Sequence, residues 1–379
     1  MDLTAGGART GSVARSARTG LAPAGTVLAG SVISLIGLTW DIQWHGDVGP
    51  DTFFTLPHLF LYSGSAISGL ASLVVVLMTT AARRAGRGVD ARVGGRAINV
   101  FGKVFAAPAG YLVTGSGAAM FLLYGLWDQW WHGLYGFDAV IDSPPHIGLL
   151  LSITLSIIGT VMVFAAAREH HWGTLGVVGS LGVLIAFSTV TVLGLEQIDV
   201  DGIDVVSVGT ALLSVLLVAA GAGFWGRPGG AVLVAAALAV IQAITWWFSP
   251  WAAETYAGAV GLPMRDYIDG VPAMPSMMPM ALLPIALLLE AIYLLSRRGW
   301  SAGRVSVLAG GIGGLLVGAS MPIQNAVVYG ADSVRWPVVF MTAAVGAVVG
   351  LLGGFAGWRF GGMLRLLAPA KTQGGEANA

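Results

Sequence analysis

Long apolar stretches alternate with short polar connections along the whole chain. The apolar stretches lie near 21–40, 58–80, 105–127, 146–167, 174–195, 205–225, 230–249, 278–296, 305–326 and 336–358. Each has roughly 18–24 residues, enough to carry a helix across a hydrocarbon core about 30 Å thick. A transmembrane β-barrel would instead show alternating segments of about ten residues, and the sequence contains none. The pattern predicts an all-α polytopic transmembrane bundle of about ten helices, paired as five hairpins. Residues 1–20 are small, polar and basic and read as a disordered tail. The run from Leu21 to Trp40 resembles a signal-peptide core but lacks a small-residue cleavage site and continues into Trp40-Asp41, so it is taken as the first span. Residues 21–169 form one four-helix module, 170–368 a six-helix membrane region of unassigned role, and 369–379 a second tail.

Composition supports this division and excludes several function classes. The chain of 379 residues is 56% hydrophobic and only 10% charged, against about 25% charged in a soluble domain. Nineteen Lys and Arg balance nineteen Asp and Glu, so the basic surface of a nucleic-acid-binding protein is missing. The partner implied is the lipid bilayer. The absence of cysteine excludes disulfide scaffolds, iron–sulfur clusters and thiolate zinc sites. Glycine, at 56 residues, is about twice its usual ~7% share, which suits close helix packing in lipid. With the N-terminus placed in the cytoplasm, every basic residue except Arg265 and Arg335 falls on the cytoplasmic side. Asp47, Asp51, Asp138, Asp142, Asp199, Asp201 and Asp204 then fall outside. Both termini are cytoplasmic on this reading, in a bacterial-type inner membrane.

Four of the six histidines belong to two copies of one pattern. The first runs from Trp40 to His58 (WDIQWHGDVGPDTFFTLPH) and the second from Trp127 to His146 (WDQWWHGLYGFDAVIDSPPH). With one inserted residue, Trp40/Trp127, Asp41/Asp128, Trp44/Trp131, His45/His132, Gly46/Gly133, Gly49/Gly136, Asp51/Asp138, Pro57/Pro145 and His58/His146 coincide. Asp and His at i and i+4 share one helix face, about 6 Å apart at Cβ. Pro57 and Pro145 suit the first turn of a returning helix, which brings His58 and His146 back toward the Asp/His pair of the same hairpin. Each hairpin therefore offers a carboxylate and two imidazoles to one ion: Asp41, His45 and His58, then Asp128, His132 and His146. Three protein ligands leave a position open for water or substrate, as a catalytic metal requires. The donor set suits non-haem iron, catalytic zinc or copper. Asp51 and Asp138 are the candidates for orienting a ligand imidazole through its other nitrogen.

The run Asp41-x3-His45-x12-His58, with Asp51-Thr52-x-Phe54-Thr55 between and Tyr62 beyond, resembles the C subunit of the copper membrane monooxygenases, the family of particulate methane, ammonia and hydrocarbon monooxygenases. The resemblance spans roughly residues 25–165. It implies copper at one or both sites, and oxygenation of ammonia or a small apolar substrate with dioxygen and an electron donor such as a quinol. It also implies companion A- and B-type subunits in a trimeric assembly. Asp128 stands where the family carries Asn, and Pro50 where it carries Arg. A different class is also compatible with the sequence: a membrane protein that captures or transfers copper or zinc without oxygen chemistry. A zinc enzyme using metal-bound water is a third reading.

Met274, Met277, Met278 and Met280 could form a patch that admits Cu(I), or simply pack at the membrane interface. Trp40, Trp44, Trp127, Trp130 and Trp131 read first as an aromatic belt. Glu196, Asp199, Asp201 and Asp204 read as a solvated loop. Glu290, in the eighth span, offers either a proton relay or a helix pairing. His170 and His171 read as surface residues.

Overall fold

The structure, a computed structural model, describes residues 5–136, 141–268 and 270–369; side chains are described from residue 20 onward, residue 297 excepted. It is an all-α polytopic bundle with ten helical stretches long and apolar enough to cross a membrane. The elements are α1 (Ala5–Asp47), α2 (Leu56–Arg84), a small antiparallel pair β1 (Ala97–Val100) and β2 (Phe105–Pro108), α3 (Ala109–Tyr135), α4 (Pro144–Ala166), α5 (His171–Thr191), α6 (Val205–Trp225), α7 (Gly230–Val260), α8 (Ala273–Met277), α9 (Leu282–Tyr293), α10 (Ala302–Val328) and α11 (Trp336–Leu364). The short α8 and α9 together make the eighth span, Ala273–Ser296.

Two boundaries differ from the expectation. α1 begins at Ala5, inside the segment expected to be a disordered tail, because the apolar span supplies the nucleus from which Ala-, Arg- and Ser-containing turns extend cheaply. The third span starts at Ala109 rather than 105: Phe105–Pro108 pairs with Ala97–Val100, and Pro108, which has no N–H to give, stands at the helix N-cap. The Thr80 hydroxyl ties this strand pair to α2, accepting from Ala106 N at 3.0 Å.

Small residues set how closely the helices approach. A methyl group on Gly30 of α1 would strike the Ser68 hydroxyl and the Gly64 carbonyl of α2, and one on Gly117 of α3 would strike Ser156 and the Ser152 carbonyl of α4. These contacts are equivalent in the sequence repeat. A hydrogen bond repeats with them: Ser68 Oγ donates to Val27 O, and Ser156 Oγ to Thr114 O, each at 3.2 Å. The duplication therefore extends from the motif into the helix packing below it. In the second half, Gly310, Gly314 and Gly318 of α10 meet Gly346, Gly350 and Gly354 of α11 backbone to backbone. Farther along α11, Gly357 and Gly361 meet the Leu216 and Ala220 carbonyls of α6.

The buried apolar core runs without interruption from Ala24 to Leu364, so residue 170 is a boundary in motif content and not in packing. α7 lies against α1, where Trp40 makes edge contacts with Phe248 and Tyr256 at 6.2 and 5.6 Å between ring centres. Glu290 is a pairing residue: its carboxylate accepts from Ala231 N at 2.7 Å, closing the start of α7.

Replacing Gly350 by Leu forces α10 and α11 apart and is expected to cost about 1–3 kcal/mol. A thermal-unfolding series should show that loss as a lower melting temperature.

Candidate metal centres

Both repeats place their histidines at the same end of the bundle, opposite the end that carries most of the arginines. Asp41 and His45 lie in the last turns of α1, and Asp128 and His132 in the last turns of α3. After each helix a glycine turns the chain in a backbone conformation that L side chains rarely adopt: Gly49 has φ +99° and Gly136 φ +90°. Pro57 and the Pro144-Pro145 pair then open α2 and α4, setting His58 and His146 in the first turn. The six residues singled out from spacing thus lie in two groups, one per hairpin.

In the second cluster the donor atoms of Asp128, His132 and His146 all lie within 4.8 Å of one another. His132 Nε2 is 3.4 Å from Asp128 Oδ2, and His146 Nε2 is 3.4 Å from Asp128 Oδ1. The cluster is well enclosed, with the Asp128 and His132 side chains 8% and 6% exposed. In the first cluster, His58 Nε2 is 3.1 Å from Asp41 Oδ1, and Asp51 joins the set. Its Oδ2 is 3.3 Å from His45 Nε2 and 3.4 Å from His58 Nε2. The mutually close triad here is Asp41, His45 and Asp51, with His58 reaching both carboxylates.

Asp51 therefore occupies a different place from the one expected. It faces the Nε2 atoms, on the ligand side, instead of holding an imidazole from behind. The backbone already fills that supporting role. His45 Nδ1 is 2.9 Å from Asp41 O, His58 Nδ1 is 3.0 Å from Thr52 O, and His132 Nδ1 is 2.7 Å from Gly136 O. His146 Nδ1 pairs with Ser143 Oγ at 2.9 Å. Asp51 Oδ1 accepts from Thr52 N and from the Thr55 hydroxyl, which leaves Oδ2 for the cluster. Spacing could not reveal this, because the orientation depends on the Thr52–Thr55 turn. Asp138, its repeat partner, lies outside the described residues. Burial alone would raise the Asp51 carboxyl, yet the hydrogen bond with His45, the charge of His58 and the Thr55 hydroxyl together hold it below the usual carboxylate range.

The residues fit a metal ion on three observations. A carbonyl oxygen can only accept, so the Nδ1 atoms of His45, His58 and His132 carry a hydrogen, and that anchoring turns each Nε2 into its cluster. Asp41 Oδ1 and Asp128 Oδ1, equivalent atoms in the repeat, are buried with no hydrogen bond. The 3.1–3.4 Å separations exceed the about 2.7–2.9 Å of a charged N–H···O bond. All but the 3.1 Å His58–Asp41 pair match the edge, about 3.3–3.4 Å, of a tetrahedron with metal–ligand bonds near 2.0–2.1 Å.

The two clusters are neighbours. Tyr62 lies within electrostatic range of Asp41 and Asp51 from one and Asp128 from the other. Its ring stacks on His58 at 5.8 Å and meets Phe53 and Phe121 at 4.9 and 6.2 Å. These aromatic rings form one end of an apolar cavity of about 800 Å³ between α2 and α3, which continues past Gly69 and Leu122.

The surroundings of the clusters differ. Trp40 and Trp44 are buried against α7, and Trp44 Nε1 donates to Pro50 O at 2.8 Å, whereas Trp127 and Trp130 are exposed as a lipid belt would require. Arg265, from the loop after α7, donates through its backbone to Asp47 O at 2.8 Å and lays its guanidinium over Gly49. The methionines do not form an exposed patch. Met274 and Met278 are fully buried, Met277 packs against the core, and only Met280 reaches the surface. Asp204 caps α6 by accepting from Ser207 N at 2.9 Å, and His170 stacks on Trp172.

No family model, curated protein or solved structure matches the chain.

Asp51→Asn preserves the turn through its amide oxygen but removes a charge from the first cluster. Competitive chelator titration should show metal affinity there reduced by about tenfold or more, with the second cluster unchanged.

Proposed function

We propose that the chain is a copper-dependent membrane monooxygenase subunit of the C type, which activates dioxygen to hydroxylate a small apolar substrate or ammonia. The observation that carries this reading is the pair of two-imidazole, carboxylate-bearing clusters, the second of them enclosed, beside an apolar cavity. Asp128, His132 and His146 would hold one copper; Asp41, His45 and His58, with Asp51, would hold the second. Copper bound there would supply the one-electron redox chemistry that dioxygen activation needs.

The chain's own residues do the rest. The backbone carbonyls at Asp41, Thr52 and Gly136 hold the Nδ1 hydrogens of His45, His58 and His132 and so aim each Nε2 into its cluster, where any proton on it would be displaced by metal binding. Phe53, Tyr62 and Phe121 close the cavity end nearest the clusters, so a small hydrocarbon dissolved in lipid would reach them without crossing water. The reaction takes up one dioxygen, two electrons and two protons, placing one oxygen atom in the substrate and the other in water. A quinol-type donor would supply both electrons and protons. A- and B-type subunits, in a trimeric assembly, complete the proposed enzyme, in the inner membrane with the clusters near its outer face.

The protein purified in detergent under copper-replete conditions should carry at least one copper per chain. The double variant Asp128→Ala, His132→Ala should lose the share bound by the second cluster, as read by metal analysis. Membranes containing the companion subunits should consume oxygen only when ammonia or a small hydrocarbon such as ethylene is supplied. Copper bound without substrate-dependent oxygen consumption would instead identify a metal-capture protein.

A further inference from the structure

The opposite end of the bundle contains a second polar feature, unconnected to the metal clusters. Two inter-helix junctions and the C-terminal end of α11 meet there around a cavity of about 840 Å³. Each contributes one arginine: Arg168 follows α4, Arg227 follows α6, and Arg365 follows α11. Arginine at a helix C-terminus complements the helix dipole, and three separate instances would need no further explanation. Two observations go beyond that account. Among the described residues, none of the three guanidinium groups forms an ion pair or a side-chain hydrogen bond, although all three line one cavity. The one acid in the lining, Glu169, is engaged by Arg92 at 3.6 Å. The cavity thus gathers cationic charge that the described residues leave uncompensated.

The local structure holds the arginines in place. Gly226 ends α6 in a left-handed conformation, φ +64°, and a side chain there would collide with the Arg365 guanidinium at 2.6 Å. Arg227 stacks over Trp225, 4.9 Å from the ring centre. Thr174, in the first turn of α5, brings the positive end of a helix to the same wall, its own hydroxyl donating to His171 O at 2.9 Å.

We propose that Arg168, Arg227 and Arg365 form a binding site for the phosphate group of an anionic phospholipid. Guanidinium forks match phosphate oxygens in pairs, and three of them suit a group with several such oxygens. A lipid is favoured over a soluble phosphate by the rest of the rim. Leu366, 82% exposed, and the Phe224 and Trp225 side chains lie in the same lining, giving the glycerol and upper acyl chains an apolar seat. The site lies at the arginine-rich end, where a basic pocket between transmembrane helices meets anionic headgroups.

The test uses the full chain in detergent, with native mass spectrometry counting retained lipid. Phosphatidylglycerol should be retained at least tenfold more strongly than phosphatidylcholine. The triple variant Arg168→Gln, Arg227→Gln, Arg365→Gln should abolish that preference, and Arg227→Gln alone, at an exposed position, should weaken it severalfold. Metal content should be unchanged in both variants, which separates this result from any loss at the metal clusters. Equal retention of the two lipids, or an undiminished preference in Arg227→Gln, would overturn the proposal. Displacement of phosphatidylglycerol by inorganic phosphate at equal concentration would also overturn it, by assigning the site to a soluble anion.

Discussion

The close approach of antiparallel helices within the first two hairpins is the constraint on which the two candidate metal clusters depend. Gly30 against Ser68, and Gly117 against Ser156, remove the side-chain volume that would otherwise separate the helices. Each approach is held by one hydroxyl-to-carbonyl hydrogen bond across the interface. Nearer the helix ends that closeness lets a histidine in the first turn of one helix face an aspartate in the last turns of its neighbour. A wider pairing would leave Asp41 and Asp128 as buried carboxylates without counter-charge, which lipid penalises heavily. The packing glycines and the donor residues thus belong to one structural unit.

The two copies have diverged in what surrounds them. α7 covers the first, packing Phe248 and Tyr256 on Trp40 and sending Arg265 over the turn at Gly49. The second has Trp127 and Trp130 exposed beside it and no described counterpart of that clamp. Its donors are nevertheless the better enclosed, because Asp128 and His132 turn inward among α3 and α4 while His45 remains 37% exposed. The six later helices therefore have at least one definite task, the buttressing of the first hairpin.

The sequence made legible whatever depends on local geometry. Apolar length located ten spans, the i, i+4 spacing placed Asp and His on one face, and proline marked the helix starts that return His58 and His146. What depended on distant or fine contacts was not legible. The side of the histidines that Asp51 faces is decided by hydrogen bonds to Thr52 and Thr55, and the contact of Tyr256 with Trp40 joins parts of the chain far apart in sequence. Methionine carries no mark that separates a surface sulfur from a buried one, so the enclosure of Met274 and Met278 emerges only from the packing. Glu290 gave a similar ambiguity, resolved once the start of α7 was seen beside it.

The anchoring of each imidazole through Nδ1 also bears on metal exchange. Three of the anchors are main-chain carbonyls of the same hairpin, so folding, and not the arriving ion, sets the rotation of those rings. A binding pocket prepared in this way has little rearrangement to offer as a means of discrimination. Selection among divalent ions then follows their inherent preference for nitrogen and oxygen donors, in which copper stands above zinc and iron. The clusters would accordingly take up the metal that the surrounding compartment leaves available, and the composition of that compartment becomes part of the protein's specificity.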